Sequence, residues 1–157
     1  MSAIAERLTS LNITLPEAVA PVANYVPYTV STNLIVISGQ ISMDQGSLIT
    51  GTLGKTLSKE EGIYAARCCG LNILAQINAA CTSMGKSLDA VSRIVRLGGF
   101  VACTPDFVDH PAVINGASDL MVEIFGDAGR HARAAVGVQS LPLGAAVEID
   151  AMVEFAG

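Results

Sequence analysis

Basic residues are scarce in this chain and nowhere form a run. Nine Lys and Arg stand against 14 Asp and Glu, for a net charge of −5 and a pI near 4.8. Non-specific nucleic-acid binding needs a positive footprint, and an anionic membrane surface needs basic clusters, so neither partner is expected. No apolar stretch approaches the ~18–20 residues of a membrane span. The opening residues, Met-Ser-Ala-Ile-Ala-Glu-Arg, place charges where a secretion signal needs its apolar segment, and a cytoplasmic location is the expectation. The four cysteines, Cys68, Cys69, Cys81 and Cys103, form no C-x-x-C pair and have no His at ligand spacing. They read as small buried hydrophobes rather than a metal centre or a disulfide framework.

What the chain has in excess is apolar sequence. Hydrophobic residues make up 51% of the 157 positions and charged residues only 15%. One domain of this length buries roughly two-thirds of its unfolded surface. So much apolar sequence exceeds what one core needs, and part of it is expected to cover a subunit interface, the alternative being a rather apolar monomer.

The hydrophobic pattern yields an element order. Ile4, Leu8 and Leu11 predict a short amphipathic helix over Ser2–Leu11, followed by an extended lead-in from Pro16 to Pro27 that includes Pro21. Two strands, Tyr28–Val30 and Leu34–Ser38, flank a turn at Ser31-Thr32-Asn33. The continuous apolar run from Leu34 to Ile37 suggests a strand covered on both faces. The glycine-rich stretch Gly39–Gly54 reads as a loop. Ser58-Lys59-Glu60-Glu61 is a capping box for a helix reaching about Met84, with Ala65, Cys69, Ile73 and Ile77 as its buried stripe and Gly85 just past its end. A strand over Val91–Cys103, bent or bulged at Gly98-Gly99, precedes a helix over Pro111–Phe125. Strands over Ala134–Gln139 and Ala146–Phe155 close the chain. In the last, Val147, Ile149, Ala151, Val153 and Phe155 alternate with Glu148, Asp150, Met152 and Glu154. The order predicts a single-domain α+β fold, a mixed β-sheet with two main helices packed on one face.

Chemistry-bearing motifs are few. Gly54-Lys55-Thr56 resembles the end of a phosphate-binding loop, but Ile49 occupies the position of the required upstream glycine. His110 and His131 belong to no ligand pattern and read as surface or loop residues. G-x-S-x-G is absent. Arg133 opens an apolar strand, where a guanidinium can grip a carboxylate with two parallel hydrogen bonds. Glu148 lies on the polar face of the last strand. If it faced Arg133 across neighbouring strands it could orient a water or shuttle a proton; otherwise both are solvated charges.

Several segments taken in order carry a resemblance. Asn24-Tyr25, then Asn33-Leu34-Ile35-Val36-Ile37-Ser38-Gly39-Gln40-Ile41, resembles the N-terminal signature of the Rid (YjgF-like) family. Asp106-Phe107, Val113-Ile114-Asn115 and Phe125-Gly126 resemble its second helix. Ala132-Arg133-Ala134-Ala135-Val136 and Leu141 through Ala151 resemble its most diagnostic block. The resemblance implies a chorismate-mutase-like fold and a homotrimer with clefts between subunits. It implies hydrolysis of reactive 2-imino and enamino acids to 2-keto acids and ammonia, without metal or organic cofactor. It assigns Arg133 to the substrate carboxylate and Glu148 to the attacking water. Tyr25 would be the cleft tyrosine, Asn115 the helix asparagine, and Gly39 the glycine after the signature serine.

The chain also departs from the family pattern. Ala135 stands where many members carry Cys or Ser, leaving only its backbone N–H for a carboxylate oxygen. Val26-Pro27 replaces a polar pair, residues 1–23 are an N-terminal extension, and the stretches around Gly98 and His110 are long. This is similar to a longer-chain branch of the family. The rival reading is a non-catalytic module that binds small carboxylate metabolites; ribonuclease activity fits an acidic chain least.

Overall fold

Ser58 shows how local sequence places the largest element of the computed structural model, which describes residues 2–20 and 23–157. Its hydroxyl accepts from the Glu61 N–H at 3.2 Å while the Glu61 carboxylate accepts from the Ser58 N–H at 2.7 Å. This satisfies two N–H groups that a helix start otherwise leaves bare. Helix α2 follows over Lys59–Ser83, and Gly85, at φ +70°, takes the left-handed turn beyond it. The predicted stripe of Ala65, Cys69, Ile73 and Ile77 is fully buried. Each such isoleucine contributes about 1.5–3 kcal/mol relative to exposure.

The N-terminal helix α1 spans Ala3–Ser10 with Ser2 as its cap. The Ile4 N–H donates to Asp89 Oδ1 at 2.9 Å and Arg7 Nε donates to the Glu123 carbonyl at 2.8 Å. The lead-in then runs along α2, where Gln76 Nε2 donates to the Val19 carbonyl at 2.9 Å. The prolines Pro16 and Pro27 are described; Pro21, with Val22, lies outside the described residues.

Strands β1 (Tyr28–Ser31) and β2 (Leu34–Ile41) form a hairpin through the two residues Thr32-Asn33, with Thr32 at φ +56°. The stretch expected as a loop contains the end of β2 and a small hairpin, β3 (Met43–Asp44) and β4 (Ser47–Leu48). Its two-residue turn is Gln45-Gly46, both at positive φ, as the right-handed twist of the flanking strands favours. After α2 come β5 (Val91–Ala102), α3 (His110–Phe125), β6 (Ala132–Val138) and β7 (Val147–Phe155).

The main sheet runs β1-β2-β7-β5-β6. All its pairs are antiparallel except β5 with β6, which α3 joins as a crossover. The alternation of β7 holds: Val147, Ile149, Ala151, Val153 and Phe155 are buried against the helices, with Ile35, Ile37 and Leu97 beside them.

Two sequence expectations are corrected. Leu34 and Val36 are only half-buried, because both helices pack on one face and β2 is covered on that face alone. The register shifts of β5 fall between Val91 and Arg93 and between Ile94 and Arg96, not at Gly98-Gly99. Those glycines instead make room. A Cβ on Gly98 would strike the Asp150 carboxylate, and one on Gly99 would come within 2.6 Å of Ile114.

Candidate functional site

Strand β6 is an edge strand, and Arg133 sits near its start. Leu97 and Ala151, its register partners across β5 and β7, are buried against the helices, so the Arg133 side chain lies on the helix-covered face. There α3 receives it. Arg133 Nη1 donates to Asn115 Oδ1 at 2.8 Å and to Ser118 Oγ at 3.1 Å, and Nη2 donates to the Pro111 carbonyl at 3.2 Å. Pro111, Asn115 and Ser118 follow the i, i+4, i+7 spacing of one helix face.

No carboxylate forms an ion pair with the guanidinium among the described residues. Three of its five N–H groups are taken by neutral acceptors. The remaining two, Nε–H and one on Nη2, sit on adjacent nitrogens, the spacing that a carboxylate's oxygens match. Ala135 is two residues along the same face, and its methyl packs against the core.

Glu148 belongs to the opposite face. Its register partners are Ile41 on β2 and Phe100 on β5, and it points away from the helices with Asp150. Asp150 takes Arg96 as its partner at 3.3 Å, whereas Glu148 has no ion-pair partner among the described residues. Burial, and then the neighbouring charge of Asp150, push the Glu148 carboxyl above the usual range. Gly39, at the register shift of β2, lies directly under this carboxylate; a Cβ there would collide with Glu148 Oε1. Tyr25 is 55% exposed. Its segment is tied to β2 by Ser38, whose Oγ donates to the Val26 carbonyl at 2.7 Å and whose N–H donates to the Pro27 carbonyl at 2.9 Å.

The six residues singled out in the sequence therefore fall into two groups. Arg133, Asn115 and Ala135 gather at the β6 edge on the helix side. Glu148 and Gly39 gather on the open side, with the Tyr25 segment anchored one residue from Gly39. Arg133 and Glu148 do not face each other across neighbouring strands, because β5 lies between β6 and β7 and the two side chains leave opposite faces.

The sequence did not single out Ser118, which the fold joins to His131. Ser118 Oγ contacts His131 Nε2 at 2.9 Å, and His131 Nδ1 contacts the Gly129 carbonyl at 2.6 Å. His131 lies in the loop before β6, as expected, and is half-buried there. The i, i+4, i+7 spacing of Pro111, Asn115 and Ser118 on α3 was the available signal. His110 is also half-buried, beside Cys103 at 3.4 Å. The other three cysteines are buried, as expected. No cluster of three metal-ligating side chains occurs among the described residues.

An α+β sheet with both helices on one face and an arginine presented at its edge strand defines a recognisable class. Residues 5–155 match the family described as "YjgF/chorismate mutase-like, putative endoribonuclease", and the chain belongs to that family. It is 48% identical over 153 residues to Protein TCP17 of Trypanosoma cruzi, covering 96% of this chain and 93% of that protein. Among solved structures, the protein Atu1372 of Agrobacterium tumefaciens, of unknown function, is 47% identical with a TM-score of 0.88, covering 98% of this chain and 92% of that one. A "putative endoribonuclease" of Shewanella oneidensis is 34% identical with a TM-score of 0.91, covering 98% and 100%. No described helix is long and apolar enough to cross a membrane.

Proposed function

We propose that this chain is a hydrolytic deaminase of 2-imino and enamino acids, acting as a homotrimer whose sites lie between subunits. The observation that carries this reading is the division of the candidate residues. One face of the sheet edge offers an unneutralised guanidinium with two adjacent free donors. The other face offers a carboxyl raised by burial and without an ion-pair partner among the described residues. Neither group does hydrolytic chemistry alone, and the sheet separates them within one chain. A second copy that lays its open face against the β6 edge would bring Arg133 and Glu148 to one cleft. The open face is fit for such contact, since no helix covers it and it presents Val36, Phe100, Val136 and Met152.

In that cleft Arg133 holds the substrate carboxylate, with the Ala135 N–H as a further donor. The adjacent C=N carbon is thereby placed for attack. Glu148 orients a water and takes one of its protons as the oxygen adds to that carbon, forming a carbinolamine. That proton passes to the nitrogen; Glu148 then takes the carbinolamine hydroxyl proton and gives it to the same nitrogen as C=O forms and the C–N bond breaks, so ammonia and the 2-keto acid leave and one water is consumed per imine. Imines hydrolyse readily in water, so positioning alone supplies what is needed; well-oriented reactions gain up to about 7–11 kcal/mol. A carboxyl pushed up by burial is suited to exchanging protons at each step. Asn115 fixes Arg133, and Gly39 leaves room for Glu148. Tyr25 closes the cleft. The partners in this reading are a small carboxylate-bearing substrate and the chain itself, in the cytoplasm, without cofactor, nucleic acid or membrane.

The test uses an imine generated in solution by an amino-acid oxidase, with semicarbazide as a competing trap. The protein should divert flux from semicarbazone to keto acid. Arg133→Ala should abolish the effect, and Arg133→Lys should be nearly as poor because an ammonium lacks the planar fork. Glu148→Gln should retain binding and lose rate.

One observation favours a second reading, a carboxylate-binding module without catalysis: Ala135 contributes no polar side chain. That reading replaces the first if the protein binds keto acids through Arg133 yet diverts no flux with several imines.

A further inference from the structure

The Arg133 guanidinium is held by a chain of contacts whose donors and acceptors can be assigned one by one. The Gly129 carbonyl has only lone pairs to offer, so the 2.6 Å contact requires the proton on His131 Nδ1. In the neutral ring Nε2 is then bare and must accept, so the Ser118 hydroxyl donates to it across 2.9 Å. With its proton committed there, Ser118 Oγ turns its lone pairs to the guanidinium and accepts from Nη1 at 3.1 Å. Asn115 Oδ1 takes the other Nη1 proton at 2.8 Å. Without His131 the Ser118 hydroxyl could rotate freely.

The geometry points to His131 and Ser118 as positioning residues for Arg133, with His131 locked in its Nδ1–H form by the Gly129 carbonyl. Neither touches the substrate in this assignment. They act by fixing which guanidinium N–H groups are engaged, and hence which pair remains for a carboxylate. The functional part of this inference rests on the reading of Arg133 as the carboxylate holder; the tautomer does not.

Two measurements test it. First, ¹⁵N spectra of the unliganded protein at mildly alkaline pH distinguish the two neutral tautomers from the imidazolium. The relay requires the Nδ1–H form, which free histidine disfavours, and an Nε2–H ring at His131 overturns it. Second, binding of 2-oxobutyrate is measured by calorimetry. Ser118→Ala removes one acceptor from a charged donor and should weaken binding about tenfold. Ser118→Thr keeps the hydroxyl and should bind within about threefold of the parent. Equal affinity of Ser118→Ala and the parent overturns the positioning role. If the parent does not bind, or Arg133→Ala binds as well as the parent, the reading of the site itself fails, and the relay then stands or falls on the tautomer alone.

Discussion

Glu148 shares the open face of the sheet with Asp150, and its carboxyl is raised by burial and by that neighbour. A carboxyl whose folded pKa exceeds its unfolded value binds extra protons on folding. Its favourable contribution is therefore complete below the ordinary carboxylate range and is lost as pH rises through the raised value. Glu148→Gln removes this dependence. Urea denaturation should find the variant gaining on the parent as pH increases across that window, and a difference constant with pH would mean that the carboxyl is not raised. Gly39 offers a complementary probe. The atoms nearest its added Cβ all belong to the Glu148 side chain and none to backbone, and its φ is not positive, so Gly39→Ala should fold normally. In the imine assay it should lower kcat with little change in KM, because it displaces the carboxylate that orients water; an unchanged kcat would remove Glu148 from the reaction. At this scale the sequence was legible only where residue type alone carries chemistry. Arg133 and Glu148 could be singled out, but their opposite faces follow from Arg133 aligning with Leu97 and Ala151 while Glu148 aligns with Phe100, a long-range register that no local pattern encodes. His131 was legible as a loop residue, but its partners, Ser118 and the Gly129 carbonyl, become visible only once α3 is packed.

Helix α2 owes its position to local signals at its start and to close approach in its middle. Ser58→Ala removes the cap and should lower stability by about 1 kcal/mol. The contact between α2 and α3 depends on Gly116, where a Cβ would collide with the Ile63 carbonyl of α2. That obstacle is backbone, so the helices themselves must separate. Gly116→Ala should cost more than the lost cap, about 1–3 kcal/mol by overpacking, and thermal denaturation of the two variants should rank them in that order. The reverse order would mean that the helices part easily. The capping box and the buried stripe of α2 were readable because both depend on neighbours within two turns. The strand alternation of β7 was readable for the same reason. The short β3–β4 hairpin was not, since its two-residue strands show no periodicity and only the positive φ of Gln45 and Gly46 marks it. The supposed bend at Gly98-Gly99 came from reading glycine as a backbone signal. In the fold these glycines serve side-chain space, for Asp150 on one face and Ile114 on the other.

For the whole molecule, composition and architecture point the same way. A sheet covered by helices on one side leaves Val36, Phe100, Val136 and Met152 facing outward, and these account for part of an apolar content that a single core does not need. Light scattering at micromolar concentration should give about three times the chain mass of 16.2 kDa, and a monomer would remove the shared cleft. Trimer mass alone does not show that a site is shared, but the separation of Arg133 and Glu148 makes that testable. Arg133→Ala chains keep Glu148, and Glu148→Gln chains keep Arg133. Each variant alone has only defective clefts, so each should be inactive in the imine assay. If the cleft takes Arg133 from one subunit and Glu148 from the next, unfolding and refolding the two variants together at equal amounts should restore activity. Random assembly leaves each interface intact with a chance of about one in four, so about a quarter of parental activity should return. Both residues acting within one chain would leave every mixed trimer as inactive as its parents, because no chain in the mixture carries both.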